Sequence, residues 1–130
     1  MVERTENKGL EEFEGIVEKV DCEEGVENRK QYHITIEPTS IKVGGATGRL
    51  HEWVPMSPKA TEEAVPQGSV MDRYLTQIEI CVSEAKKAKT IEDAFKLLIG
   101  KKFKFKKLKL GKDFDGHSAR EYSVPVMVIN

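Results

Sequence analysis

The spacing of apolar residues changes twice along this chain of 130 residues. Up to Gly68 the spacing alternates as in β-strands, from there to Gly100 it follows a helical period, and afterwards it alternates again. The alternation is clearest in residues 31–37, where Tyr32 and two isoleucines fall on one face of an extended segment. The pattern predicts a mostly β protein with one helical insert.

The predicted strands cover residues 13–20, 31–37, 49–54, 101–110 and 122–129. The insert is predicted to contain a helix over residues 69–87 and a second, shorter helix. Thr90 is a suitable N-cap for the second helix, and Gly100 is a suitable stop after it. We therefore predict one domain at residues 12–130, preceded by a flexible tail at residues 1–11.

Cysteine usage and hydropathy indicate the compartment. The two cysteines, Cys22 and Cys81, are far apart and have no metal-binding or redox spacing. A reducing compartment, the cytoplasm, is therefore expected, with neither a structural metal nor a cofactor. The N-terminus lacks the apolar segment of a signal peptide, and no apolar run approaches the ~18 residues that span a membrane. Membrane association is not expected.

Charge is unevenly distributed although the net charge is only -1. Residues 1–30 contain ten acidic and five basic side chains, whereas residues 96–120 contain nine basic and two acidic ones. A protein of this kind can present a local positive field despite a neutral total. The C-terminal third is therefore the region where a polyanionic partner is expected to bind.

The most basic strand alternates lysine with phenylalanine. Lys102, Lys104 and Lys106 share one face, and the two phenylalanines between them share the other. The apolar side then switches parity, which predicts a β-bulge near Lys106 and the lysine that follows it. A lysine row of this kind, extended by Lys112, suits a phosphate backbone, and the alternative is an edge strand protected against aggregation.

Single-strand recognition also needs aromatic rings on which bases can stack. The candidates are Tyr32, His33, His51, Trp53, Phe114 and Tyr122. His33 is predicted to face outward because it lies opposite the apolar face of its strand, and Phe114 lies at a hairpin tip. Burial preferences favour the core for Tyr32, Tyr122 and Trp53, but Trp53 shares strand parity with His51 and stays a candidate.

Three strands, a helical segment and two further strands form the element order of the OB-fold. Over residues 13–129 the chain resembles OB-fold domains, and it is similar to small archaeal or phage-type single-stranded-DNA-binding domains. The resemblance concerns element order, and no residue is assigned a role through a motif. It implies a five-stranded Greek-key barrel that binds single-stranded nucleic acid. The alternatives are an SH3-like barrel and an open α+β sheet.

Catalytic and metal motifs are weak. Asp113, Asp115 and His117 are close in sequence, but Asp-Gly in a hairpin is explained by turn geometry. The glycines at residues 44–48 lack the Gly-Lys-Ser/Thr ending of a P-loop, and no nucleophile-elbow pattern occurs. We therefore predict a non-enzymatic module that binds single-stranded DNA or RNA. The alternative is a protein-interaction or assembly subunit, including a homo-oligomer, that uses a sheet edge or the helical insert.

Overall fold

The computed structural model describes residues 11–25, 29–40, 48–111 and 120–130. Its elements, in chain order, are β1 (Glu12–Glu24), β2 (Lys30–Pro38), β3 (Leu50–Pro55), α1 (Val70–Cys81), a 3₁₀ helix (Ser83–Lys87), α2 (Ile91–Lys96), β4 (Lys102–Lys109) and β5 (Glu121–Ile129). The predicted order of strands and helices is therefore confirmed. The predicted tail at residues 1–11 lies, except for its last residue, outside the described residues.

The strands form one antiparallel sheet in the order β3-β2-β1-β4-β5. The sheet is not closed, because β3 and β5 are its edges and no ladder joins them in the described part of the chain. None of the helices among the described residues, α1 and α2 included, is long and apolar enough to cross a lipid bilayer.

β1 is the central strand, and a β-bulge divides it. Its register with β2 shifts between Val17 and Lys19, where the strand contains one extra residue. Val17 also bonds the turn before β4, donating to the Lys101 carbonyl at 3.1 Å and accepting from the Gly100 amide at 2.7 Å. Gly15 allows β1 and β2 to approach closely, since a Cβ there would lie 2.6 Å from Ile36 Cγ2.

The core lies between the inner face of the sheet and the helical insert. Phe95 of α2 stacks between Tyr32 of β2 and Tyr74 of α1, with ring centroids 4.7 and 5.6 Å apart. The insert begins as predicted, but the first helix ends at Cys81 and is followed by the 3₁₀ helix. Thr90 is the N-cap of α2, where its hydroxyl accepts a hydrogen bond from the Asp93 amide at 3.1 Å.

The bulge predicted near Lys106 is not in β4. The β4–β5 register runs without interruption from Phe105 to Lys109, and its irregularity lies between Lys104 and Phe105. The extra residue there is Val126 of β5, which directly follows Pro125. Because proline has no N–H to donate to a ladder, the irregularity falls on β5 rather than on β4.

A buried carboxylate brings the two sheet edges together. Glu52 of β3 is 2 % exposed, and its Oε1 accepts a hydrogen bond from Arg120 Nη2 at 2.7 Å. Its Oε2 accepts from the Ser123 amide of β5 at 3.3 Å. Burial raises the pKa of Glu52, and the positive charge of Arg120 acts in the opposite direction. Side-chain bonds from Glu52 therefore join the edges where no ladder does.

We predict that Glu52→Ala lowers the free energy of unfolding by about 1–3 kcal/mol, because it leaves the buried Ser123 amide without its acceptor. Denaturant unfolding followed by circular dichroism measures the change.

Glu121→Ala is the matched control, because Glu121 is exposed at the start of β5, the edge strand that contains Ser123. Glu52→Gln should cost less than Glu52→Ala, since an amide oxygen still accepts the Ser123 hydrogen bond. An equal effect of the two alanine substitutions would contradict a role for Glu52 in joining the edges.

Candidate functional site

Three rings lie together on the outer face of β2 and β3. His33 and Trp53 are directly opposite each other in the register, and their rings stack with centroids 4.6 Å apart and an interplanar angle of 16°. The His51 ring lies 5.8 Å from Trp53 at 22°. Trp53 is 37 % exposed. The rings of His33, His51 and Trp53, hereafter the ring cluster, therefore present an aromatic surface to solvent.

Strand alternation explains why these rings face outward. Tyr32 and Ile34 on β2 are buried, which turns His33 to the opposite face. Glu52 and Val54 on β3 are buried in the same way, which places Trp53 outside. The burial preference that favoured the core for Trp53 is therefore wrong, because strand parity decides its side.

Glu23 of β1 fixes the orientation of the ring cluster. Its Oε1 accepts a hydrogen bond from Trp53 Nε1 at 3.1 Å, and its Oε2 lies 2.9 Å from His33 Nδ1. Because a carboxylate accepts, His33 donates from Nδ1. His33 Nε2 lies 2.8 Å from Nδ1 of His51, and when the His33 ring is neutral its Nε2 accepts and His51 donates. One carboxylate thus orients three side chains on two neighbouring strands.

The charge of Glu23 is stabilised by these contacts. Its pKa is lowered from the ordinary value of 4.5, first by the hydrogen bond from His33, against a smaller opposing effect of desolvation, and further by the bond from Trp53. Asp21 is the register partner of His33 and lies 3.4 Å from the exposed Lys19 ammonium. Asp21, Glu23 and His33 each offer one ligand atom, and these atoms all lie within 4.8 Å of one another.

The lysine row lies on the same face of the sheet but on the other side of β1. Lys102, Lys104 and Lys106 are the register partners of Ile16, Glu14 and Glu12, respectively. Along β1 the ring cluster and the nearest of these lysines are roughly 15 Å apart. The row is thus separate from the rings but shares a surface with them.

Two of the three lysines are already paired. Glu12 contacts Lys104 Nζ at 2.5 Å and Lys106 Nζ at 4.0 Å. The hydrogen bond from Lys104 is the main cause of a lowered pKa for Glu12. Within the described part of the chain, Lys102 forms no ion pair. The lysine row is therefore less positive than its sequence indicates.

The remaining predicted residues divide into two groups. Tyr32 and Tyr122 are buried, as burial preferences predicted. Lys112 and Phe114 lie outside the described residues, as does the weak metal pattern at residues 113–117.

Sequence reasoning missed Glu23, Asp21 and the contact between the two histidines. His33 and His51 are separated by 18 positions, and they meet only because β2 and β3 pair as neighbours. A usable signal was that His33, His51 and Trp53 each alternate with the apolar residues of their own strand, which turns them to the outer face. Nothing in the sequence indicates the β1 bulge that brings Glu23 to the same face.

The sequence has no significant match to a protein-family model or to a curated protein. The function is therefore inferred from the site's own geometry.

We predict that Glu23→Ala loosens the ring cluster, because it removes the acceptor shared by Trp53 and His33. Trp53 is the only tryptophan, so its fluorescence anisotropy reports the change directly and should decrease.

The free energy of unfolding should change little, since hydrogen bonds and ion pairs of exposed side chains contribute only ~0–1 kcal/mol. Glu24→Ala is the control, because alternation turns this exposed neighbour to the opposite face. Unchanged anisotropy in Glu23→Ala would show that Glu23 does not orient the rings.

Proposed function

We propose that the protein is a non-enzymatic module that binds single-stranded nucleic acid on the outer face of β2 and β3. The ring cluster is the observation that carries this proposal. Aromatic side chains are the platforms on which unpaired bases stack, and stacking tolerates any base because every base has a π-face. The half-exposed Trp53 is the principal platform, with His33 stacked beside it.

The ring cluster is suited to a stacking role because it is held in place before a ligand arrives. Hydrogen bonds from Trp53 and His33 to Glu23 fix both rings on the surface of the sheet. A side chain that is ordered in advance loses less conformational entropy on binding, which favours affinity. A tryptophan needed only for stability is expected to be more deeply buried.

The proposal includes an OB-like Greek-key barrel that is open between β3 and β5. Two observations support it: β3 and β5 are the ends of the strand order, and Glu52 joins them through Arg120 and the Ser123 amide. In OB-folds the face of strands 2 and 3 binds oligonucleotides. The position of His33 and Trp53 on the outer face of β2 and β3 supports the same role here.

The lysine row provides a path for phosphates on the same face of the sheet, roughly 15 Å from the ring cluster. Lys102 is the phosphate contact that requires no rearrangement, whereas Lys104 and Lys106 must first leave Glu12. Each phosphate neutralised by a lysine releases counterions, which makes binding dependent on salt. Stacking and charge therefore contribute separately, and the lysines supply the salt dependence.

We predict that Trp53→Ala weakens binding of a fluorescently labelled oligothymidylate by ~1–3 kcal/mol and leaves the salt dependence nearly unchanged. Replacing all three lysines with glutamine should instead lower the slope of log K against log salt by at most about 2. Fluorescence anisotropy titrations at several salt concentrations measure both.

Equal losses of affinity and equal changes of slope in the two variants would contradict the division between stacking and charge. Wild-type protein that binds neither DNA nor RNA single strands at low salt would overturn the proposal.

We also predict that Glu12→Gln raises the affinity for the same oligonucleotide and steepens its salt dependence, because it releases Lys104 and Lys106. Glu84→Gln, an equal change of charge at an exposed position of the 3₁₀ helix, is the control. If the two variants gain equally in affinity for the oligonucleotide, the effect is due to net charge and the lysine row does not contact the phosphates.

An assembly subunit is the second candidate, and exposed apolar residues favour it. β5 is an edge strand on which Met127 is 53 % exposed. Of the valines in the same strand, Val124 is fully buried, and Val126 and Val128 are half-buried. An interface at this edge is therefore expected to centre on Met127 rather than on the valines. A wild type without affinity for nucleic acid would make this candidate the leading one.

A further inference from the structure

Two carboxylates and one imidazole converge at the β1 side of the ring cluster. We propose that Asp21, Glu23 and His33 form a binding site for a divalent transition-metal ion, with Zn²⁺ as the best match. One ligand atom from each residue lies within 4.8 Å of the other two, and all three side chains are half-buried. This inference goes beyond the proposed function and does not depend on it.

The donor set selects the class of metal. Zn²⁺ binds imidazole nitrogen together with Asp and Glu oxygens, and a site with three protein ligands leaves a coordination position for water. Mg²⁺ and Ca²⁺ prefer sites made of oxygen alone, so the imidazole disfavours them. Two carboxylates also offset the 2+ charge of the ion.

Both the carboxylate of Glu23 and the imidazole of His33 have an outer partner that orients them. Trp53 Nε1 donates to Glu23 Oε1, which leaves Oε2 toward the site. His51 lies 2.8 Å from His33 Nε2, on the side of the ring opposite the nitrogen that faces Glu23. Partners of this kind fix ligand geometry in metal sites and contribute 10–100-fold to affinity.

Metal binding replaces the hydrogen bond between His33 and Glu23 and changes the tautomer of both His33 and His51. His33 Nδ1 gives its lone pair to the ion, and the His33 proton moves to Nε2. His33 Nε2 then donates to His51 Nδ1, while His51 carries its own proton on Nε2. For two neutral rings the change of tautomer conserves both protons, and the short contact between the rings is preserved.

Among the described residues, the ion pair that competes for Asp21 is weak. Lys19 lies 3.4 Å from the Asp21 carboxylate, but its side chain is largely exposed and can turn into solvent. The ion would also neutralise the two negative charges beside the ring cluster. A surface that repels phosphates would thereby become neutral.

The test is isothermal titration calorimetry of the untagged full-length protein with ZnCl₂, and with MgCl₂ as the comparison. We expect one Zn²⁺ per chain and no measurable Mg²⁺ binding. Quenching of the single tryptophan by Co²⁺ gives a second readout that is confined to the site, because Trp53 contacts Glu23.

Asp21→Asn should weaken Zn²⁺ binding at least tenfold, whereas Glu24→Gln on the opposite face of β1 should leave it unchanged. If Asp21→Asn does not fold by circular dichroism, His51→Ala replaces it, with an expected loss of 10–100-fold. Equal Zn²⁺ affinity of the wild type and the folded variant overturns the inference.

The design separates this inference from the proposed function. Asp21→Asn retains every ring and should bind oligonucleotide in EDTA at least as tightly as the wild type, because it also removes a negative charge from this surface. Trp53→Ala retains all three metal ligands and should still bind Zn²⁺, although less tightly, after losing affinity for oligonucleotide. Failure of one experiment therefore does not imply failure of the other.

Discussion

A stack of three buried rings is the interaction on which the rest of the structure depends. Phe95 lies between Tyr32 and Tyr74, so a single contact joins β2, α2 and α1. The Tyr74 hydroxyl donates to the Ser123 carbonyl of β5 at 2.8 Å, and the Ser123 amide donates to Glu52 of β3. The helical insert therefore connects the two sheet edges, which no ladder joins in the described residues.

The connection between the helical insert and the two edge strands also supports the outer face of the sheet, where the ring cluster lies. β3 pairs only with β2 among the described strands, so its other side depends on Glu52 and on Arg120, which donates to the Trp53 carbonyl at 3.4 Å. Packing on the inner face thus fixes the strand that carries the exposed ring. Rigid strands hold a binding site more precisely than loops do.

The sequence predicts which face a side chain occupies, but it does not predict which residue lies opposite. Within one strand alternation is sufficient, and it placed His33 outside correctly. Between strands the register decides, and bulges change it. The β1 bulge turns Asp21 and Glu23 toward His33, and the irregularity opposite Lys104 is caused by Pro125 of a different strand. Neither feature is visible in the residues of a single strand.

The same limit applies to charge. The acidic N-terminal region and the basic C-terminal region look separate in the sequence, yet β1 pairs with β4, and Glu12 reaches two lysines of the basic strand. Acidic and basic side chains that are far apart in the sequence therefore neutralise one another in the folded sheet.

The two ends of β1 consequently differ in what their carboxylates can bind. At the N-terminal end of β1, Lys104 and Lys106 of β4 pair with Glu12. At the second end, β2 and β3 present an imidazole and an indole to Glu23, and the cation near Asp21 is the exposed Lys19. Within the described ranges, the ammonium group beside this carboxylate pair is the exposed Lys19, and an oriented imidazole lies next to it, so an external cation would be stabilised there. Lysines of the protein itself thus neutralise the carboxylate at one end of the central strand, whereas the proposed Zn²⁺ ion would neutralise the carboxylates at the other.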